Sequence, residues 1–303
     1  MLLFHADLLL APLSSGSRGN CTFVGDHRSG VLVDCGLSTR QVFARLEAVG
    51  LGDVRIDAVL VTHEHTDHVG AARILDERLF QRQGFRVPFH LTRGTRMGLD
   101  HRCLPTRVGL IRAGSPFRVG RWAVDPFSVP HDTRDPVGFR VTDGRASIGV
   151  ITDLGRATRL VERQLSEMDV AVLEFNHDLA MLLEGTYPWS LKQRVKGPHG
   201  HLSNVQAGEL LAAAASGRLQ HVVLAHLSED NNAPDLALAA ADAALLKARV
   251  GGVTVTVAAQ GAPVGPLRIG SSAPASRPHR RRVIAPRPSP RPVLAPATQL
   301  ALF

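Results

Sequence analysis

Three histidines and one aspartate lie within six residues of one another, as His63, His65, Asp67 and His68. Imidazole nitrogens suit zinc, iron and related divalent ions, and a carboxylate widens the choice to manganese. His63 and His65 alternate with Glu64, so both can face one ion while Glu64 points away. Asp67 and His68 lie further along the chain and are placed for a second ion. The alternative is a capped helix start in which Asp67 binds only backbone amides, and the concentration of ligands disfavours it.

More metal-binding side chains stand where apolar runs end. His131, Asp153 and His226 each follow or close such a run, where a site at one edge of a sheet would collect side chains. The carboxylate of Asp153 could bridge two cations. Asp34 directly follows the apolar residues 31–33, and we expect it to hold a ligand or the His63 loop in place.

The elements around these residues predict a two-sheet architecture. Residues 58–62 are typical of a buried strand that leads directly into His63. Candidate strands come in close pairs early in the chain and are separated by helices later, with a first strand expected at residues 2–10 and a helix at 69–82. This mixture predicts an α+β fold, an αββα sandwich of two mixed β-sheets with helices outside, over a doubly wound parallel sheet.

The two ends of the chain differ in character. Residues 1–10 are apolar but lack a basic start, and His5 and Asp7 interrupt them, so we expect a strand and not a signal peptide. No segment has the apolar length that crosses a bilayer, and we expect a cytoplasmic protein without membrane contact. We expect a folded domain at residues 1–268 and a disordered Pro/Arg-rich tail at 269–303.

The net charge of +8 depends strongly on that tail, which contains no Asp or Glu from Ser271 onward. Removing the positive charges of its six arginines leaves the rest of the chain at +2. A weakly basic body does not by itself demand a polyanionic substrate. The arginines are Arg277, Arg280, Arg281, Arg282, Arg287 and Arg291.

The motifs together resemble the metallo-β-lactamase superfamily, whose five motifs appear in order and span nearly all of the expected domain. This resemblance implies a hydrolase with two divalent metal ions (zinc, manganese or iron), Asp153 shared between them, and a water-derived nucleophile held by both. Asp34 would support the ligands from behind. The implied ligands are His63, His65 and His131 for one ion, and Asp67, His68 and His226 for the other.

Further strings narrow the resemblance to one branch. Residues 13–21, 174–178, 197–204 and 226–232 are similar to the YycJ/WalJ-like branch, over roughly residues 10–240. The branch implies a phosphodiesterase with 5′ exonuclease activity on DNA, although the superfamily scaffold also hosts other hydrolases.

Several residues near these strings are candidates for catalysis and substrate binding. Asp67 and His201 are the candidate catalytic residues, and His201 would bind phosphate or donate a proton to the leaving oxygen. Ser203 and Asn204, at an expected helix start, could form an anion pocket.

The roles of two other groups stay open. His177 and Asp178 would either contact substrate or form a buried pair that orients their loop. Lys192, Arg194 and Lys196 would face either the DNA backbone or only solvent.

The last five residues resemble the bacterial sliding-clamp-binding pentapeptide, with Gln299, Leu300, Leu302 and Phe303 in the matching positions. A flexible arm that ends in Leu and Phe anchors suits a pocket on a partner. The alternative is chance, because five-residue patterns recur.

The sequence therefore predicts a dinuclear metal-dependent phosphodiester hydrolase, a 5′ DNA exonuclease of replication or mismatch repair. One alternative is a small-molecule hydrolase of the same fold, either a thioesterase or a cyclic phosphodiesterase. Another is a non-catalytic clamp-bound adaptor, which is disfavoured because every ligand position is filled.

Overall fold

Two seven-stranded sheets pack face to face in the computed structural model, which describes residues 7–270. Helices cover the outer surface of each sheet, so the predicted αββα sandwich of mixed sheets is confirmed. In spatial order the first sheet contains β14 (Leu267–Ile269), β1 (Leu8–Ser14), β2 (Cys21–Gly25), β3 (Ser29–Val33), β4 (Arg55–Leu60), β5 (Phe89–Thr92) and β6 (Val108–Ile111).

The second sheet combines parallel and antiparallel strands. In spatial order it contains β13 (Thr254–Val257), β12 (His221–Ala225), β11 (Val170–Glu174), β10 (Ser147–Ile151), β9 (Val137–Thr142), β8 (Trp122–Ser128) and β7 (Phe117–Val119). Four of its strands, from β10 to β13, run parallel, whereas β7, β8 and β9 are joined as antiparallel neighbours.

The longer helices divide between the two outer faces. Those that cover the first sheet are α1 (Thr39–Ala48) and α3 (Ala72–Gln83). The second sheet is covered by α5 (Arg159–Ser166), α8 (Asn204–Ala214) and α9 (Pro234–Ala248). Short helices fill connections at α2 (Thr66–Val69), α4 (Arg93–Gly98), α6 (Leu179–Glu184) and α7 (Trp189–Val195), with one 3₁₀ turn at His101–Cys103. Within residues 7–270 no helix has the length and apolar character to span a membrane.

The central strands are apolar on both faces because both faces are buried. In β3, Val31 and Val33 point between the sheets, and Leu32 points towards α1 and α3. Successive side chains of a strand alternate between faces, so a strand covered on both sides is apolar throughout. Trp122 and Phe139 fill the space between the sheets from the opposite side.

Strand direction brings the carboxyl ends of strands from both sheets to one edge of the sandwich. In the first sheet β3, β4 and β5 run parallel. In the second, β10, β11 and β12 run parallel, and β8 shares their direction because β9 is antiparallel to both of its neighbours. The segments that follow these strands therefore meet at this edge, as is usual for functional sites of α/β sheets.

Some expected element bounds are wrong. The first strand is Leu8–Ser14 and not residues 2–10, and residues 1–6 lie outside the described part. The helix expected at 69–82 is divided, because α2 ends at Val69 and α3 begins only at Ala72. The short strands β6, β7 and β14 were not predicted, since three or four residues carry too little periodicity. Strand β14 ends at Ile269, while the tail from residue 271 lies outside the described residues.

Backbone contacts join three loops at the site edge. Asn20 N donates to Asp67 O (2.7 Å), Cys35 N donates to His68 O (2.7 Å), and Gly36 N donates to Asn20 O (2.9 Å). A Cβ atom on Gly36 would lie 1.7 Å from Asp67 O, far inside van der Waals contact. Position 36 therefore has room only for glycine, because the backbone of the Asp67 loop passes directly over it.

We expect Gly36→Ala to push the loop at Asp67 away and to destabilise the fold by about 1–3 kcal/mol, as overpacking of a close contact does. Thermal unfolding should show a Tm that is lower by several degrees. Gly217→Ala is the matched control, because Gly217 is exposed and has open space around it. Equal Tm values for the two variants would contradict this account.

Candidate metal centre

All of the predicted ligands meet at the edge where the strands end. Asp34 follows β3, residues 61–68 follow β4, His131 follows β8, Asp153 follows β10, and His226 follows β12 directly. The seven predicted ligands, which do not include the supporting residue Asp34, form overlapping groups, and within each group the ligand atoms lie within 4.8 Å of one another. These groups include His63, His65 and His131; His63, His68 and Asp153; and Asp67, His68 and His226.

The first group is a triad of imidazoles with nitrogens turned towards one another. His65 Nδ1 lies 3.3 Å from His131 Nε2, and the His63 ring centroid lies 4.7 Å from that of His65. His131 Nδ1 donates to Gly200 O (3.1 Å), and His63 Nδ1 lies 3.0 Å from Thr62 Oγ1. Because these outer nitrogens have partners, the Nε2 atoms of His63 and His131 are left for the interior of the triad.

The second group is built around Asp67. Its Oδ2 lies 3.4 Å from His68 Nε2 and 3.7 Å from His226 Nε2. Asp153 lies between the two groups, with Oδ2 3.1 Å from His68 Nε2 and Oδ1 3.7 Å from His131 Nε2. The structure therefore places Asp153 where one carboxylate can reach both groups.

Two buried nitrogens test whether these residues fit a metal ion. Within residues 7–270, His63 Nε2 and His226 Nε2 have no hydrogen-bond partner, although both side chains are almost fully buried. A buried polar atom without a partner is costly, and a cation would supply the missing interaction. Imidazoles with carboxylates form a donor set that suits zinc, iron or manganese. The donors present thus fit divalent metal binding.

The pKa shifts of His63, His131 and Asp67 also suit metal binding. Burial lowers the pKa of His63 and that of His131, which keeps both imidazoles neutral with a free lone pair. Burial opposes ionisation of Asp67, but the nearby His226 and His68 lower the pKa of that carboxyl. A neutral imidazole and an ionised carboxylate are the forms that bind metals.

Asp34 supports the centre from behind. The Nδ1–H of His68 donates to Asp34 Oδ2 (2.8 Å), and Thr62 N donates to Asp34 Oδ1 (2.8 Å). Asp34 is buried, and its carboxylate fixes the His68 ring with Nε2 towards the cluster. This is the geometry expected of a carboxylate that orients a metal-binding histidine.

Three of these strand ends have an uncommon backbone conformation. Asp34, Asp153 and His226 have φ values of 65°, 59° and 55°. Positive φ is uncommon for residues other than glycine, and such a residue costs about 1–3 kcal/mol when the conformation is strained. The conformation turns the chain sharply at the end of each strand and directs the side chain into the cluster.

His201 and Glu174 form a pair beside the cluster. His201 Nδ1 donates to Glu174 Oε1 (2.7 Å), and Leu154 N donates to Glu174 Oε2 (2.6 Å). Burial disfavours the charged imidazolium, but the Glu174 carboxylate outweighs it and raises the pKa of His201 to about 9. The His201 ring centroid lies 5.2 Å from those of His131 and His226.

Two residues in these contacts were not selected from the sequence. Glu174 carries a signal that could have found it, because it ends an apolar strand as Asp153 does. Asn20 lies in the string at residues 13–21, but nothing in that string indicates its contacts: its Nδ2 lies 3.0 Å from His68 Nε2 and 3.2 Å from Asp67 Oδ2, across 48 and 47 positions of the chain.

The residues predicted to bind substrate have structural partners, with one exception. The Ser203 hydroxyl caps α8, and the amides of Asn204 and Asn232 exchange hydrogen bonds of 2.8 and 2.9 Å. Asp178 caps α6. His177 is buried, and neither ring nitrogen has a hydrogen-bond partner within the described chain. Substrate contact by these four predicted residues stays a prediction.

The basic run on α7 does not form one common face. Lys192 is buried and donates to Leu183 O (2.7 Å). Arg194 Nε donates to Asp132 Oδ2 (2.6 Å), so this guanidinium is held beside the cluster. Lys196 Nζ lies over another side chain of α7, 5.3 Å from its aromatic ring centroid. Each of the three cationic side chains therefore has a different contact, and they do not form one basic surface.

We expect Asp34→Asn to lower metal affinity about 10–100-fold, because an amide loses the charge that orients His68. Competition with a chromophoric chelator measures this affinity. Asp53→Asn is the control, since Asp53 is fully exposed, and it should bind metal as the wild type does. An unchanged affinity in Asp34→Asn would show that the His68–Asp34 contact does not support metal binding.

Comparisons with known proteins agree with this geometry. The profile of the Beta-lactamase superfamily domain matches residues 30–227. Exodeoxyribonuclease YycJ of Bacillus anthracis is 32% identical over 228 residues, which cover 74% of this chain and 84% of that protein. Exodeoxyribonuclease WalJ of Streptococcus pneumoniae is 28% identical over 230 residues, which cover 74% and 83%.

A solved structure shows the same fold. The metallo-β-lactamase fold protein YhfI from Bacillus subtilis has a TM-score of 0.62 and 17% sequence identity, over 85% of this chain and 99% of that one. The resemblance to the YycJ/WalJ-like branch, first seen in the motifs, is confirmed by the two exodeoxyribonucleases. With its family profile spanning most of the folded chain and a metal-binding donor set at the strand ends, the protein belongs to the metallo-β-lactamase superfamily and is a metal-dependent hydrolase.

Proposed function

We propose that this hydrolase binds two divalent ions and degrades DNA from 5′ ends, in the cytoplasm, during replication or mismatch repair. The observation that carries the dinuclear part is the position of Asp153, which lies 3.7 Å from one ligand group at His131 Nε2 and 3.1 Å from the other at His68 Nε2. The two exodeoxyribonuclease relatives support DNA as the substrate.

We assign the proposed ligands to the two ions as the resemblance implies. His63, His65 and His131 would hold one ion, with Asp67, His68 and His226 holding the second and Asp153 bridging them. Such a metal pair lowers the pKa of water and stabilises the charge that develops on phosphate oxygens. Zinc, manganese and iron all suit this donor set.

His201 is the proposed proton donor or phosphate-binding group. Its side chain is one-fifth exposed, so a substrate at the mouth of the cluster can reach it. Its Nδ1 is fixed by Glu174, which is itself held by a backbone amide. The Nε2 atom of His201 is therefore free to contact the substrate. Glu174 acts as a positioning residue, because it holds the His201 ring in this orientation.

We expect the metal-loaded wild type to release nucleotides from a 5′-phosphorylated duplex with manganese, zinc or iron. His65→Ala should lose metal and activity together, because it removes one ligand of the imidazole triad. His201→Ala should keep its metal, while kcat falls about 10²–10⁴-fold, the usual contribution of a proton-transfer group. Metal analysis and nucleotide release measure the two effects separately.

His199→Ala is the control for His201→Ala, because His199 is an exposed histidine two positions earlier, and it should keep full activity. Full kcat in His201→Ala would remove His201 from the mechanism. A metal-loaded wild type that hydrolyses a thioester rapidly and leaves DNA intact would contradict the nuclease and favour the small-molecule hydrolase.

We also propose that the tail brings the enzyme to DNA through the bacterial sliding clamp. Residues 299–303 lie outside the described residues, so the proposal rests on the sequence of Gln299, Leu300, Leu302 and Phe303. An anchor on a tether raises the local concentration of the enzyme near the clamp-bound substrate.

Deleting residues 299–303 should abolish capture of the protein by immobilised clamp while hydrolysis of a short oligonucleotide stays unchanged. The reason is that the anchor and the metal centre lie in separate parts of the chain. A Val283→Ala/Ile284→Ala double variant changes two other apolar residues of the tail and should still be captured. Capture of the deletion variant at the wild-type level would refute the clamp contact.

A further inference from the structure

A groove of about 920 Å³ lies between α1 and α3, next to the metal-binding loop. Its near end is formed by Gly36, Ser38 and Thr66, from the segments that follow β3 and β4. Thr66 stands between the ligands His65 and Asp67 in the chain. The groove therefore begins at the metal-binding loop and extends outward along the two helices.

The lining of this groove is basic. Arg40, Arg78 and Arg82 line it, and none of its lining residues is Asp or Glu. The exposed hydroxyl of Thr66 adds a hydrogen-bond donor at the near end, whereas the Ser38 hydroxyl caps α1 and donates to Gln41 Oε1 (2.7 Å). A concave surface with charge of one sign concentrates ligands of the opposite charge, and a nucleic acid carries one negative charge per phosphate. The weak net charge of the body thus conceals a local concentration of positive charge.

The groove also has apolar parts between its charges. Ile74 is 61% exposed, although it is a large aliphatic residue, and Phe43 is partly exposed in the opposite wall. Ile74, Arg78 and Arg82 recur every four residues and so lie along one face of α3. Surfaces that bind single strands combine cations for the backbone with apolar or aromatic groups for sugars and bases.

The dimensions suit a short stretch of one strand. The twelve residues of α3 span about 18 Å at 1.5 Å per residue. At the duplex rise of 3.4 Å per nucleotide, this length corresponds to about five nucleotides. An acidic protein segment would also complement the positive charge of the groove. Because the groove starts at the metal-binding loop, however, the substrate strand is the favoured occupant.

We propose that this groove binds the sugar-phosphate backbone of the DNA strand whose end lies at the metal centre. The inference rests on the proposed function, because it takes DNA as the substrate. All three arginines are exposed, and Arg40 and Arg78 are best suited to bind phosphate because their contacts are fewer: Arg78 Nη1 donates to Gln81 Oε1 on the same helix (3.1 Å). Arg82 is partly occupied, with its guanidinium 5.1 Å from the Phe43 ring centroid and in contact with the Gly52 carbonyl.

The test compares two double variants of equal charge in the full-length, metal-loaded enzyme. Arg40→Gln/Arg78→Gln changes the groove. Arg28→Gln/Arg145→Gln changes exposed arginines in the turns before β3 and before β10, at the opposite edge of the sandwich. Steady-state cleavage of a 5′-phosphorylated 20-nucleotide strand is measured over a range of salt concentrations. Hydrolysis of bis(p-nitrophenyl) phosphate measures the metal centre alone.

The groove variant should show a KM for the strand about tenfold higher, with kcat close to that of the wild type. The slope of log(kcat/KM) against log salt should become shallower by about 1.4, because each arginine that neutralises one phosphate of a single strand contributes about 0.7 to that slope. The control variant should match the wild type in both respects, and all three proteins should hydrolyse the small ester equally.

Two results would overturn the inference, and they separate it from the proposed function. Strand cleavage by all three proteins with the same KM and salt slope would exclude the groove as the DNA path and leave the nuclease standing. Hydrolysis of the small ester without cleavage of DNA by the wild type would reject the nuclease, and the groove as its DNA site would fall with it.

Discussion

His68 is held between two buried carboxylates, and the rest of the centre depends on this contact. Its Nδ1 lies 2.8 Å from Asp34 and its Nε2 lies 3.1 Å from Asp153, with the ring fully buried. Burial alone would lower the pKa of His68, but the two carboxylates outweigh it and raise that pKa well above its usual range. A buried charged pair is destabilising unless its partners and hydrogen bonds are complete. Within the described residues Asp153 Oδ2 has no hydrogen-bond partner, so the pair is incomplete without a cation. A bound ion would take the place of the His68 Nε2 proton between His68 and Asp153, because a histidine binds a metal ion as the neutral imidazole.

The sandwich can provide this environment because its strands end at one edge. Each sheet contributes ligands from the turns after its parallel strands, and neither sheet could surround the cluster alone. The contacts among the loops at Asn20, Gly36 and Asp67 then fix the distance between those turns. Stable packing of the two sheets is thus the condition for a site whose ligands are separated by up to 163 positions, from His63 to His226.

The sequence was informative where the signal was local. The cluster from His63 to His68 and the polar residues that end apolar runs could be identified from residue type and spacing, and the two-sheet fold followed from the order of elements. Contacts between distant segments could not be identified in this way. Asn20 is close to His68 only in three dimensions, and the basic groove needs α1 and α3 to lie side by side. Ser203 and Asn204 were correctly expected at a helix start, but their hydrogen-bonding groups are engaged in capping and in the contact with Asn232.

The left-handed backbone at Asp34, Asp153 and His226 limits which amino acids these positions can accept. Asn, Asp and His enter that conformation more readily than other residues with side chains. At the two aspartate positions, glutamate would offer the same carboxylate chemistry but would not favour this backbone, and asparagine would favour the backbone but lack the charge. Asp34 and Asp153 are therefore each restricted twice, by the chemistry of the side chain and by the φ angle, and the two criteria together leave almost no conservative replacement.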